Sequence, residues 1–382
     1  MNTLNINKGK DDLNINSILE KNRIDDPNLT VCFVPKLPST NPYQSLLEQS
    51  LSNLDVQVHG IDPYKFFLPT ATKKYKPNVI HIHWLEPYLK AKSTYRSLIK
   101  VIGFVLGLLI LKFKKNKIVW TVHNLKCHET YSNPLLQLLD YILNWSVAKV
   151  SDSMIVHSYF AKEEVESRFG VDHKKIVVID HGNYIDYYEN SISKSDARRL
   201  LGIPSSDFCY LFLGNIRPYK GVVQLVKAFN ELERQDSTLV IAGSPITINI
   251  SDKILKEANN NPKIILHLKH ILDEEIQIYM NACDVIVFPY HSILTSGALI
   301  LAMSFGKVCI APKISCIPEL LDESQAFLYK PDSNQGLLSA MIQARKDQSS
   351  IHTMGNHSLG VATNMDWKSV AQKTVDTYYA SV

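Results

Sequence analysis

Two cations stand three residues apart, Arg217 and Lys220, inside residues 210–229, YLFLGNIRPYKGVVQLVKAF. An apolar run leads into them and an amphipathic helical pattern follows at once. A helix N-terminus already carries a partial positive charge, so added cations are unfavourable there unless an anion sits among them. Phosphate is the usual anion at such a place. The planar fork of arginine holds two oxygens together and lysine adds a compact charge, a pair suited to a diphosphate. Gly214 allows a close turn after the strand, and Asn215 shares the loop with the cations. The competing reading is a surface loop that happens to be basic; the strand–turn–helix setting favours the phosphate.

A second set lies in residues 284–312, DVIVFPYHSILTSGALILAMSFGKVCIAP. An apolar strand ends at Pro289 and Tyr290, and Thr295, Ser296 and Gly297 open a helix. Free backbone N–H groups at that start make another anion cradle. A plain Thr/Ser cap accounts for Thr295 or Ser296 equally well. Joined to Arg217 and Lys220, the motif becomes a two-sided grip on a diphosphate. In the first half, IVWTVHNLKCHE brings His123, Asn124, His128 and Glu129 to a strand end, and VIHIHWLEPY does so with His83 and Glu86. An unpartnered histidine is more often a core or loop residue than a catalyst. His81 and His83 alternate along a strand, which sets at least one against a helix layer.

Strands and crossover helices must position these groups. Short β-branched runs alternate with helical patterns, the signature of parallel sheets. Six runs fill the first half (TVCFVPKL, VQVHGI, NVIHIHW, KIVWTVHN, SMIVHS, KIVVIDHG). Six more follow (YLFLGN, TLVIAGSP, KIILHLKHI, DVIVFPY, KVCIAP, AFLYKP). The expected architecture is α/β: two doubly wound, Rossmann-like domains with ligands bound beyond their strand C-termini, in a cleft between them. Residues 1–29 read as a polar lead-in without the apolar core of a secretory signal. Residues 30–195 form the first domain and 205–360 the second, with the join in the polar stretch 190–207. Residues 361–382 form a C-terminal helix packing on the body.

The 382 residues suffice for two domains, and 45% hydrophobic with 20% charged is an ordinary globular balance. A net charge of +4 does not argue for nucleic acid. Six scattered cysteines, none in a C-x-x-C pair, read as reduced core residues of a cytoplasmic protein. Residues 90–117 hold eight basic side chains and no acid, flanking VIGFVLGLLIL. That apolar run is too short to span a bilayer, which takes about 20 residues. It is either a buried crossover helix with a solvated basic end or a peripheral patch against anionic lipid.

The succession GNIRPYKGVVQLVKAF, LVIAGSP, MNACDVIVFPY, TSGALILAMSFGKVCIAP and IPELL resembles the nucleotide-sugar domain of GT-B-fold glycosyltransferases of the family-4 (group 1) kind. The likeness extends more loosely to NPYQSLLEQSL, IHIHW, IVWTVHN and IDHGNY. It implies donor binding by Gly214, Asn215, Arg217, Lys220, Tyr290, Thr295, Ser296 and Gly297. By the same resemblance His123 lies beside the donor sugar, and Glu319 matches a glutamate common after the next strand. The family's paired glutamates fall here on Ile293 and Leu301, neither able to accept a hydrogen bond. This resembles a variant subgroup with a TSG loop, and it favours inversion over retention. An inverting reaction needs a general base, for which Glu86, Glu129, His123 and His128 are available.

No D-x-D pair stands at a strand end, and the resemblance implies neither a metal nor a cofactor beyond the nucleotide-sugar substrate. The expected activity is hexosyl transfer from a UDP- or GDP-linked sugar to a saccharide or polyprenyl-diphosphate-linked acceptor, in surface polysaccharide synthesis at the inner face of the membrane. The acceptor would enter near Asn41, Tyr43, His83, Trp84 and the basic segment. Two other readings stay open: an epimerase or phosphorylase on the same scaffold, and a catalytically silent homologue that senses nucleotide sugar or scaffolds an assembly.

Overall fold

The computed structural model describes residues 29–36, 42–62, 65, 67–89, 93–126, 133–232, 236–331 and 335–380. Each of the twelve apolar runs forms a strand, and every pairing is parallel. The first sheet holds β1 (Thr30–Val34), β2 (Gln57–Gly60), β3 (Val79–Ile82), β4 (Lys117–Thr121), β5 (Ser153–Val156) and β6 (Ile176–Val178), ordered β2-β1-β3-β4-β5-β6. The second holds β7 (Phe208–Leu213), β8 (Ser237–Ala242), β9 (Ile264–His267), β10 (Val285–Val287), β11 (Val308–Pro312) and β12 (Ala326–Tyr329), ordered β12-β11-β10-β7-β8-β9. Strands covered on both faces read as unbroken apolar runs; β7, FCYLFL, is buried at every position. The doubly wound α/β architecture is therefore the one the sequence implied.

The chain divides into two compact units, each built on one sheet. The first comprises residues up to His157 together with Lys162–Asp180 and those from Trp367 onward; the second comprises Ser158–Ala161 and His181–Asp366. The polar stretch 190–207 lies inside the second unit. There Ser191 and Ile192 donate their N–H groups to Gln277 Oε1 at 2.9 and 3.1 Å.

In the first sheet β3 to β6 are laid down in one direction. Right-handed crossovers therefore place the helices Thr94–Phe113, Pro134–Val150 and Tyr159–Phe169 on one face. The helix Trp367–Ala380 covers the other face beside the helix Pro42–Ser52. Its Val370, Ala371, Val375 and Tyr378 share one core cluster with Val31, Phe33, Leu47 and Val79. Burying each such side chain contributes about 1.5–3 kcal/mol, so the helical spacing near the C-terminus completes the first unit.

Strand order reverses at β1, flanked by β2 and β3, and at β7, flanked by β8 and β10. Ligands of open parallel sheets bind beyond the strand C-termini at such reversals. Among the described residues no helix is long and apolar enough to cross a membrane. Cys32, Cys209, Cys283, Cys309 and Cys316 are unpaired and buried, as core cysteines should be; Cys127 lies outside the described residues.

Candidate active site

In the second unit β7 ends at Leu213 and the chain turns at Gly214, φ 133°. Lys220 N–H closes a 3₁₀ turn on Arg217 O at 3.0 Å, and Gly221 leads into the helix Val222–Asn230. At Gly221 φ is 66°, and a Cβ would stand 1.9 Å from Pro289 O. The cation-bearing loop thus lies directly on the backbone that follows β10. His291 N–H to Tyr219 O, at 2.8 Å, fastens the same two loops.

This lacing unites the donor-side residues read from sequence. Lys220 Nζ is 5.8 Å from the centre of the Tyr290 ring, and Tyr290 Oη is 3.4 Å from Ser296 Oγ. Ser296 Oγ accepts from Leu299 N–H at 3.2 Å, so this side chain is the helix cap. Thr295 is different: its buried Oγ1 has no hydrogen-bond partner, and neither has Arg217 Nη1. A buried polar atom left unpaired costs about 1–3 kcal/mol. Among the described residues neither Arg217 nor Lys220 forms an ion pair. Burial, and after it the Arg217 charge, push the Lys220 ammonium down to about 8. Two orphaned polar atoms and an uncompensated cation pair on interlocked loops suit an anionic ligand better than they suit stability.

Asn215 is exposed on the same loop. A Cβ on Gly297 would come within 3.2 Å of Tyr184 Oη and 3.9 Å of His181 Nε2. These two neighbours were not singled out as site residues, although both belong to the segment IDHGNY. Leu301 is buried and Ile293 half-buried, so neither position supplies a polar group. Glu319 accepts from the Tyr159 and Phe160 N–H groups, both at 2.7 Å. Its carboxylate thus caps the helix that begins at Tyr159.

In the first unit β3, β4 and β5 run side by side, and each is followed at its C-terminal lip by a histidine: His83, His123 and His157. His81 and His83, two residues apart, lie on the same side of their strand with ring centroids 4.2 Å apart. His81 is a satisfied core residue, bonded at 2.7 Å both to Tyr378 Oη on the C-terminal helix and to Thr121 Oγ1. His83 Nδ1 is 3.4 Å from His123 Nε2. The His123 ring stacks flat on Trp84, centroids 3.9 Å apart at 4°. Glu86 opens the helix Glu86–Leu89 and accepts from Asn124 Nδ2 at 3.3 Å. A small recess is lined by His83, Trp84, Glu86, His123, Asn124 and Lys126.

Burial lowers His81 to about 3, and burial followed by the adjacent imidazoles holds His83 well below the usual range. Burial also lowers His157, against a raising hydrogen bond to Ile179 O. The rings around His123 are accordingly neutral at pH 7. Tyr43 does not line the recess; it is 4% exposed in the core, with its edge toward His123 at 4.8 Å. His157 escaped the sequence reading, though SMIVHS repeats the strand-then-histidine pattern of TVHN. Asn41, His128 and Glu129 lie outside the described residues. Among the described residues no group of three or more His, Cys, Asp or Glu is placed to hold a metal ion.

A model of glycosyl transferases group 1 matches residues 193–358, and one of glycosyltransferase family 4 matches residues 58–183. A GDP-mannose:glycolipid 4-beta-D-mannosyltransferase of Xanthomonas campestris pv. campestris is 26% identical over 324 residues, 83% of this chain and 84% of its own. Sucrose-phosphate synthase from Thermosynechococcus elongatus matches with a TM-score of 0.70 at 17% identity, over 92% of this chain and 98% of its own. Anabaena Alr3699/HepE, solved in complex with UDP-glucose, matches with a TM-score of 0.68 at 16% identity, over 91% and 98%. At these identities the solved structures speak to the fold alone.

Proposed function

The chain belongs to the group 1 glycosyltransferases of GT-B fold, and from that premise we propose that it transfers a hexosyl group from a nucleotide sugar to a lipid-linked saccharide, in assembly of a surface polysaccharide. The observation that carries the reading is the uncompensated pair Arg217 and Lys220, laced to the loop of Thr295, Ser296 and Gly297. The second unit would hold the donor and the first the acceptor. The TSG loop without paired carboxylates supports assigning the chain to a variant subgroup. GDP-mannose is the first donor to test, because the Xanthomonas relative is named for it.

In this reaction the bond from the sugar C1 to the diphosphate oxygen breaks as a bond from C1 to the acceptor oxygen forms. Arg217 and Lys220 neutralise the departing diphosphate, and Thr295 Oγ1 donates to it. Cations fixed before the substrate arrives stabilise that developing charge without reorganising, so no metal is needed for this role. The acceptor hydroxyl gives its proton to a base. Glu86, oriented by Asn124, and His123 are the described candidates, with Glu129 a third. Inversion is the favoured outcome: GDP-mannose carries its sugar in the α configuration and the relative is named for a β product. Residues 90–117 would hold the enzyme at the inner face of the membrane.

The test is thermal unfolding of the purified chain with UDP, GDP, ADP and their sugar derivatives. A ligand at 100 times its Kd stabilises the native state by about 2.7 kcal/mol. One nucleotide family should raise the midpoint selectively, and Arg217→Ala and Lys220→Ala should abolish that rise while leaving the unliganded midpoint intact. Folded protein that responds to no nucleotide would overturn the reading.

A further inference from the structure

The helices Thr94–Phe113 and Pro134–Val150 are apolar on more than the faces they bury. On the first, Val101, Phe104, Leu108 and Leu111 are at most 4% exposed, as helix-to-sheet packing requires. Yet Tyr95, Ile99, Ile102, Leu106, Leu109 and Phe113 are 43–92% exposed. Their spacing of 4, 3, 4, 3 and 4 draws a second apolar stripe along about 30 Å of helix. On the second helix Leu135, Leu138, Tyr141, Ile142 and Trp145 are 40–52% exposed, again at helical spacing. With Ile110, these are twelve of the 19 large hydrophobic side chains exposed among the described residues. The two helices pack on each other and on β4, so their outer faces look the same way. Single exposed apolar residues need no explanation, but a contiguous patch of this size marks an interaction surface.

Charge says what covers it. Residues 93–117 contain no acid. The one acid in the helix Pro134–Val150, Asp140, is buried and accepts from Asn144 Nδ2. Arg96, Lys114 and Lys115 are exposed at the ends of the first stripe. Lys149 Nζ lies 5.9 Å from the Trp145 ring, and the Arg168 guanidinium 5.8 Å from the Tyr141 ring. A protein partner would normally present charges of both signs. Acids do stand nearby, Glu163, Glu164 and Glu166 exposed on the helix Tyr159–Phe169 and Asp152 paired with Lys112 at 2.6 Å. The two striped helices themselves, however, expose cations and no acid. Apolar stripes of that kind, with Trp and Tyr at the border, fit acyl chains beneath anionic headgroups.

We propose that these two helices together form a docking face for an anionic bilayer, with Pro134–Val150 an equal partner to the basic segment 90–117. This deepens the membrane side of the proposed function, but it rests on the two helices and not on the donor loops. The test is co-sedimentation of the full chain with vesicles of phosphatidylglycerol mixed into phosphatidylcholine, and of phosphatidylcholine alone. Binding should require phosphatidylglycerol, and the double variant Leu138→Glu/Trp145→Glu should lower partitioning roughly tenfold or more. Lys114→Ala/Lys115→Ala should weaken binding chiefly at low salt. Circular dichroism checks that each variant is folded, and no nucleotide is used, so the result stands apart from the donor test. Undiminished vesicle binding by Leu138→Glu/Trp145→Glu would overturn the proposal, as would binding indifferent to phosphatidylglycerol. A wild-type dimer in light scattering that the same variant makes monomeric, with no vesicle binding, would assign the face to a second copy instead.

Discussion

Lys220 gives the candidate donor site a pH dependence whose sign follows from its environment. Burial and Arg217 hold its pKa at about 8 before any ligand arrives. A diphosphate prefers the charged ammonium, so binding above pH 8 must also take up a proton. The Kd for the selective nucleotide should therefore be flat from pH 6.5 to 7.5 and rise about tenfold per pH unit above 8, until the pKa of the bound state is reached. Calorimetric titration at several pH values reads this directly, and Lys220→Ala should bind weakly with the slope removed. A wild-type affinity unchanged between pH 7 and 9.5 would show that Lys220 does not meet the phosphate. At this scale much was legible: cations beside a strand end announce an anion. Which hydroxyl caps the helix was not legible, because Thr295 and Ser296 are chemically alike and only the backbone geometry gives the cap to Ser296.

Two loops from distant parts of the second unit act as one element through Gly221. Its φ of 66° and the 1.9 Å approach to Pro289 O mean that any side chain must part the loops. Gly202 is the comparison: φ is 68°, but nothing lies within 4 Å of its Cβ position. Gly202→Ala should therefore pay only the left-handed strain of about 1–2 kcal/mol and keep the nucleotide response. Gly221→Ala should lower the unliganded midpoint further and lose that response. Equal behaviour of the two variants in thermal unfolding would show that the loops are not coupled. The glycine was visible in the sequence, but its contact with Pro289 was not. They are 68 residues apart, and the pairing of β10 with β7 brings them together.

For the molecule as a whole, the buried histidines of the first unit set the acid limit. His81 and His83 are 0 and 1% exposed, and burial keeps both neutral far below the usual histidine range. The unfolded chain protonates them near pH 6.5, so it binds more protons than the native state below that value. Stability is then fully present above about pH 6.5 and falls with acid, by roughly 2 kcal/mol for His81 on reaching pH 5, with His83 acting in the same direction. Urea unfolding followed at the first unit should give a midpoint markedly lower at pH 5 than at pH 7. Equal midpoints would mean that these rings accept protons in the folded state.

By itself the sequence determined the twelve strands, the two sheets they imply and the cation pair of the candidate donor loop. Its reason is local: a strand buried on both faces needs an unbroken apolar run, and a phosphate site needs charge at a turn. Only the tertiary structure decided the partners. It placed Tyr43 in the core beside Trp367 rather than at the surface, and it gave His81 to Tyr378, nearly 300 residues away. It also exposed the second stripe of the helix Thr94–Phe113. An apolar pattern all round a helix reads as burial on every side, and only packing on one sheet face leaves half of it to the solvent.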